Sequence, residues 1–268
     1  SNRQPIPFAG EQSFIFNLEG NAQIVGEGEL KKAGKATLNS KVIKPVKIVY
    51  QARITDEFKY ASEEKQLQYL KAFIEGYAVK IAEAFDIAAL HGLEPQSMTD
   101  ASFKATNSFD GLVTDNVIAY DAATIEDNID TTVQTIVLKC GEVSGLALSH
   151  QAGSALGKVK VNGVVQYPEF RFGQRPDAFH GMKTDVNKTL TMVGETQDKD
   201  HVIAGDFEKA FKWGYAENIP LEIIEYGDPD GADRDLKAYN EILLRAEAYI
   251  GWGILLPERF GRIVEAGA

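Results

Sequence analysis

The stretch SEEKQLQYLKAFIEGYAVKIAEAFDIAALHG, Ser62–Gly92, carries the strongest secondary-structure signal in the chain. Ser62 can cap a helix, and Glu63 and Glu64 fall in its first turn, where carboxylates complement the helix dipole. Leu67, Leu70, Ile74, Tyr77, Ile81, Phe85 and Ala88 recur at intervals of three or four, the period of one helical face. His91 and Gly92 supply the ending. About 29 residues at ~1.5 Å each make a rod of about 43 Å. A helix that long spans a domain and serves as the backbone on which other layers pack.

Upstream, Phe14–Leu18 and Lys47–Ile54 read as strands, rich in β-branched and aromatic residues. Between them, Glu19–Lys44 is punctuated by Gly20, Gly26, Gly28 and Gly34 and holds only short strand-like pieces. Six lysines lie between Leu30 and Tyr50, with no acid, in a chain whose formal net charge is −11. The pattern predicts a two-stranded basic arm too poor in apolar residues for its own core. An isolated hairpin is marginal in water, so the arm is expected to lean on another molecule.

Downstream, LEPQSMTDASFKATNSFDG reads as a loop. Thr124 can cap a helix over EDNIDTTVQTIVLK, with Ile125, Ile129, Val133 and Ile136 on one face, and Ser149 can cap HQAGSALGKV. Short strands are expected at Leu146–Leu148, Leu190–Val193 and Val202–Ala204, and a further one at Ile219–Tyr226 before the acidic turn GDPDGADRD. From Ile242 to Leu256 the chain alternates, with Ile242, Leu244, Ala246, Ala248, Ile250, Trp252 and Ile254 on one face if extended; a helix stays open, but the alternation and the paired glycines favour a strand, which Pro257 closes. The class is α+β.

With 268 residues, 44% hydrophobic and 25% charged, the chain can bury a sizeable core in one or two domains. No apolar run approaches the roughly 20 residues that cross a bilayer, so no membrane partner is expected. The methionine-less start SNRQPIPF is read with Ser1 and Asn2 as a remnant of cloning, the natural chain beginning earlier or being cut here. Cys140, the only cysteine, excludes an intrachain disulfide and fits a reducing compartment as a small buried residue. The acidic balance argues against nucleic-acid binding by bulk charge, and the lysine arm lacks the aromatics that stack bases.

No catalytic constellation is found. His91, His150, His180 and His201 lack ligand spacing, and with one cysteine no zinc site is expected. Ser149-His150 has no nucleophile elbow around it and reads as a helix cap. GEGEL and GKVKV fail the dinucleotide and phosphate-loop templates. Aligning Gly231 with the invariant glycine of a calcium loop puts Tyr226 and Lys237 where acids are required, so DPDGADRD reads as a solvated turn. The pairs Asp56-Glu57 and Glu63-Glu64 stand near helix starts, where the dipole accounts for them. No cofactor and no metal are expected, and the chain is read as a non-enzyme.

The order of these features (lysine-bearing arm, strand, long amphipathic helix, FDGL, LALSHQAGSALGKV, HGMKT, VIAGDF and finally ILLRAEAYIGWGILLPERF) resembles the major capsid proteins of tailed bacteriophages with the Hong Kong 97-type fold. The resemblance covers roughly Glu11–Val264 and rests on the ordered set, since no single motif is specific. It implies that 1–113 is the first part of a peripheral domain, with an extended loop at 19–44 and a spine helix at 62–91. It implies an axial domain at 114–216 and a peripheral return segment at 217–268. The implied function is that of a structural head subunit, located in the virion after assembly in the bacterial host cytoplasm. It would form pentamers and hexamers of itself and hold double-stranded DNA by enclosure only, with a portal, scaffold or maturation protease as further partners. A cellular compartment shell of the same fold, or a soluble α+β enzyme, stays open as an alternative.

In such a shell the extended loop lies across a neighbouring subunit, which implies intersubunit contacts for Lys31, Lys32, Lys35, Lys41 and Lys44. Charge complementarity of this kind guides partner choice and register and is weakened by salt. Some relatives join loop and neighbour by a lysine–asparagine isopeptide bond promoted by a glutamate. By resemblance Lys31 in VGEGELKK stands at the lysine position, and Asn240 and Glu247 in YNEILLRAEAY keep the seven-residue spacing of the other two. An even-spaced strand would put Asn240 and Glu247 on opposite faces unless a bulge intervenes, and Glu247 has a structural alternative beside Arg245.

Overall fold

A computed structural model describes residues 5–19, 35–139, 141–191 and 200–265. Lys31, Lys32 and Cys140 therefore lie outside the described residues. In chain order the elements are β1 (Glu11–Glu19), β2 (Lys35–Ile43), β3 (Val46–Thr55), α1 (Glu63–His91), α2 (Lys104–Asn107), α3 (Phe109–Leu112), β4 (Val117–Ala119), α4 (Ile125–Leu138), β5 (Gly145–Leu148), α5 (His150–Leu156), β6 (Lys160–Val161), β7 (Val164–Val165), β8 (Ala178–Phe179), β9 (Met182–Val186), β10 (Asp200–Gly205), β11 (Phe211–Ile224), β12 (Glu241–Ile254) and β13 (Phe260–Val264).

The long helix forms where its periodicity predicts. Ser62 occupies the N-cap in an extended conformation without a side-chain cap bond, and the amide of Gln66 reaches its carbonyl at 3.0 Å. Gly92 ends the helix in the left-handed region at φ 65°, its amide bonded to the Ala88 carbonyl. A Cβ there would stand 2.7 Å from the Lys104 Cα, so both the backbone angle and the close approach of α2 call for glycine. The inward stripe runs Gln66, Leu70, Phe73, Tyr77, Ile81, Ala84 and Ala88. Leu67 and Ile74, expected on that stripe, lie off it and are 68% and 52% exposed.

Among the described residues four sheets accompany the helix, the smallest being the short β6-β7 pair. β12 is the middle strand of β11-β12-β3, antiparallel to both neighbours. Its alternation is real, but Leu243 is as fully buried as Ile242 and Leu244, because both faces of the strand are covered. The second sheet has the order β4-β13-β10-β5-β9-β8. α4 and α5 cover it, with Ile125, Ile129, Ile136, Leu148, Leu156, Val202 and Ile263 in one core. Ser149 caps α5 as expected, its hydroxyl accepting from the Ala152 amide at 3.0 Å. The third sheet is the arm, β1 against β2, in register from Glu11 opposite Ile43 to Glu19 opposite Lys35.

A second core joins the helix to both larger sheets: Ala88, Ala89, Phe109, Ile203, Phe211, Trp252 and Phe260. Trp252 is fully buried, packs edge-on against Phe85 and Phe103, and exchanges hydrogen bonds with Asn107 (Nε1 to O 2.9 Å, Nδ2 to Trp252 O 2.8 Å).

Two expectations need correction. The segment read as a loop after Gly92 contains α2 and α3, whose junction Ser108 stabilises by accepting from the Gly111 amide at 3.0 Å. Leu190 and Thr191 are not in a strand: the Asn187 side chain accepts from the Thr189 amide at 2.9 Å and turns the chain there, while residues 192 and 193 of that expected strand lie outside the described residues. β13 pairs with β10 and β4 in the six-stranded sheet. After Pro257 the chain passes through a 3-10 turn and extends again, which places Phe260 and Ile263 in the two cores.

Candidate functional site

The arm is fixed at its root, and several of its described side chains are exposed. Ile43, 1% exposed, packs on the glycines of β12, where a Cβ at Gly253 would meet its side chain at 2.9 Å. Ile6 crosses the same strand at Gly251. Lys212 Nζ reaches Glu11 Oε1 at 2.6 Å. Beyond the root, Phe14, Leu38 and Val42 are exposed, so this two-stranded ribbon gains little from its own chain.

The lysines expected to meet a neighbour divide. Lys35 and Lys44 are exposed. Lys41 turns back to its own chain, donating to the carbonyls of Ile254 at 2.8 Å and Thr106 at 3.2 Å. Burial lowers its ammonium below the ordinary lysine value. It acts as a clamp at the arm root.

Asn240 and Glu247 are not brought together within one subunit. Asn240 sits just before β12 in the left-handed region (φ 54°), and its carbonyl accepts from the Asp56 amide at 2.8 Å. Glu247 lies within β12, opposite Val49, and β11 bulges beside it between Ile219 and Glu222. At ~3.4 Å per residue the interval between them is about 24 Å. Glu247 pairs with Lys47 at 2.7 Å, and this bond raises the lysine above its ordinary value. Arg245, expected beside it, reaches Gln51 Oε1 at 3.0 Å and the Pro229 carbonyl at 3.1 Å instead.

The acidic turn is not merely solvated. It wraps the Arg53 guanidinium, which contacts Asp230, Asp228 Oδ1 (2.6 Å), Glu241 Oε2 (3.2 Å) and the Arg234 carbonyl (3.1 Å). The hydrogen bond from Arg53 holds the Asp230 carboxyl down at about 2. Strand β3 thus supplies the cation that a calcium loop would have taken from solvent. No local pattern around Gly231 points to an arginine so distant in the chain.

A second charge cluster, which carries no sequence motif, is buried where α1 meets the six-stranded sheet. His91 Nε2 donates to the Thr189 carbonyl at 2.9 Å, and Nδ1 faces Asp110 Oδ2 at 3.1 Å and Asp200 Oδ2 at 3.9 Å. Arg262 Nη2 binds Asp110 Oδ1 (2.7 Å) and Asp200 Oδ1 (2.9 Å), and its Nε binds Asp200 Oδ1 (3.0 Å). Burial alone would lower the imidazolium, but the hydrogen bond and charge of Asp110 outweigh it and raise His91 above its ordinary value. Burial raises the Asp200 carboxyl; for Asp110 burial is outweighed by His91 and Arg262, and it stays low. Donor atoms of His91, Asp110 and Asp200 lie within 4.8 Å of one another, but Arg262 already gives both carboxylates their cation. A polar helix end between apolar neighbours, AALHG, is the one local hint of this cluster in the sequence.

The outer part of α1 completes the exposed surface. None of residues 63–80 is buried, and Leu67, Tyr69, Ile74 and Val79 are open to solvent. Single exposed apolar residues are ordinary; here four lie on a helix half that buries none of its residues. No helix among the described residues is long and apolar enough to cross a membrane.

No protein-family model and no curated protein sequence matches the chain. Solved structures do. A structure from Mycobacterium phage Ogopogo superposes with a TM-score of 0.83 and 28% identity, covering 99% of this chain and 90% of that one. One from Gordonia phage Cozz gives 0.78 and 22%, covering 100% and 85%. The capsid of a native GTA (gene transfer agent) particle, computed with C5 symmetry, gives 0.63 and 12%, covering 99% and 88%. Over nearly its whole length, this chain has the mixed helix-and-sheet fold of phage and GTA capsid structures and resembles a major capsid protein.

Proposed function

We propose that the chain is the structural subunit of an icosahedral tailed-phage or prophage head, assembling through pentamers and hexamers around double-stranded DNA. The observation that carries this reading is the end-to-end likeness to phage and capsid structures. The arm and the outer half of α1, which bury almost nothing in their own chain, support it. In Hong Kong 97-type terms, residues 19–44 are the extended loop, 62–91 the spine helix, 114–216 the axial domain, and 1–113 with the return segment 217–268 the peripheral domain. Lys31, Lys32, Lys35 and Lys44 face a neighbouring subunit, while Lys41 clamps the loop's base. Any Lys31–Asn240 cross-link promoted by Glu247 would draw its asparagine and glutamate from different subunits.

The shell has no need of a basic lining, because DNA is held by enclosure, and the net charge of −11 is compatible with that. Negative-stain electron microscopy of the full-length gene product tests the reading. Hollow shells, or rings of five and six, are expected, with an absorbance ratio showing nucleic acid in filled particles. A monodisperse monomer at every concentration overturns it.

A further inference from the structure

We propose that His91, Asp110, Asp200 and Arg262 form a proton-operated lock that fixes the inner end of α1 to the six-stranded sheet and releases it as pH rises. Each group comes from a different element: the last residue of α1, α3, the first residue of β10, and β13. His91 and Asp200 are completely buried and Arg262 nearly so. The lock therefore sits where the long helix and the sheet exchange charged groups in a dry environment.

The geometry identifies the protonation state that closes it. His91 Nε2 faces a carbonyl, which accepts only, so that nitrogen carries a proton. Nδ1 faces a carboxylate at 3.1 Å, which is attractive only if that nitrogen is protonated as well. With both carboxyls ionised the closed cluster would set two cations against two carboxylates, but burial favours the proton on Asp200. Asp200 Oδ2 is buried with no hydrogen-bond donor and directed at Asp110 and His91. Loss of the His91 proton leaves a nitrogen lone pair against Asp110 and two carboxylates sharing one guanidinium, a costly arrangement away from water.

The direction of the pH effect follows from the shifts. His91 is held above its ordinary value, so its contribution is full below about 6.5 and is lost as pH rises through the folded value. Asp200, a carboxyl also raised, acts in the same sense: the folded form favours its proton, and that preference is lost as pH rises. Asp110 is depressed and opposes them only in strong acid, below the ordinary carboxylate range.

Other charged groups on the elements packed here are engaged elsewhere. On α1, Glu83 pairs with Lys188 at 2.5 Å, and Asp86 accepts from Asn187 and Thr189. On β10, His201 stacks on Tyr120 and bonds Ser149 Oγ at 3.1 Å. After β10, Asp206 pairs with Arg259 at 3.1 Å.

Hydrogen–deuterium exchange of the full chain from pH 6.5 to 9.5, corrected for intrinsic exchange, tests the lock. Peptides covering 86–92, 109–113 and 200–205 are expected to lose protection by up to about tenfold per pH unit, the limit for one proton. Peptides within 241–248 should not follow. His91→Gln should weaken the dependence to what Asp200 alone contributes and lower the protection of the junction below pH 7. Should that variant not fold, Asp200→Asn serves: with one carboxylate fewer beside it, His91 releases its proton at lower pH and the midpoint moves down. A flat wild-type profile, the same slope in His91→Gln, or an unmoved midpoint in Asp200→Asn overturns the proposal. So does loss of protection on adding EDTA at constant pH with recovery on adding zinc, which would make the cluster a metal site.

Discussion

The two ends of α1 belong to one continuous helix and are put to opposite uses. From Ile81 to His91 it buries Ile81, Ala84, Ile87, Ala88, Ala89 and His91, and it meets both larger sheets. From Glu63 to Lys80 it buries none. A helix of this length does not need its outer half for the stability of its own chain, since most helical stability in proteins comes from packing of an apolar face. If the outer half serves the proposed assembly, folding and assembly rest on separate residues and can be broken separately.

The largest loss should come at the inner end. Trp252→Ala removes the ring on which Phe85 and Phe103 close and the indole hydrogen bond to the Asn107 carbonyl. Thermal or urea unfolding should show a loss of about 3–5 kcal/mol, mostly from the cavity. Arg262→Met follows, at about 3 kcal/mol, because removing one side of a buried ion cluster leaves Asp110 and Asp200 uncompensated while methionine keeps part of the volume. Its loss should shrink in acid, where the carboxylates take up protons. A uniform loss across pH would mean that packing rather than charge is what Arg262 supplies.

At the outer end the effect should move from stability to association. Leu67→Lys with Ile74→Lys touches only exposed positions, so the unfolding midpoint should stay within about 0.5 kcal/mol of wild type. Particle formation, followed by sedimentation or electron microscopy, should fall sharply. Normal assembly by this variant would show that the outer half of α1 makes no essential subunit contact.

The same division sets how much of the molecule is legible in its amino-acid sequence. Periodicity finds α1, α4 and β12, because apolar spacing reports burial and burial builds those elements. It misplaces Leu67 and Ile74, because a helix whose outer half is uncovered keeps apolar residues off the inward stripe for a reason that lies outside the chain. The fold class and the capsid likeness are legible in the order of elements. The buried quartet is not: His91 reads as a helix ending, Asp110 belongs to a stretch that reads as loop, and only the tertiary fold brings Asp200 and Arg262 to them. Arg53 is hidden for the same reason, since the turn around Gly231 invites comparison with a metal loop while its cation comes from β3. Lys41 shows the limit of charge patterning, which cannot tell a lysine that faces a neighbour from one that caps its own chain's carbonyls.

That last distinction gives the smallest and most specific test. Lys41 and Lys44 are three residues apart in the same basic run, yet the first is half-buried against the Ile254 and Thr106 carbonyls and the second is exposed. Lys41→Met keeps the aliphatic stem and removes both donors, so it should cost about 1 kcal/mol in urea unfolding. Limited proteolysis should then cut near the arm root faster than in wild type. Lys44→Met should leave both readouts unchanged and instead reduce the salt sensitivity of assembly, as expected of a charge that meets a partner. If the two variants behave alike, the clamp at Lys41 contributes nothing beyond its charge, and the arm is held at its root by Ile43 and the glycines of β12 alone.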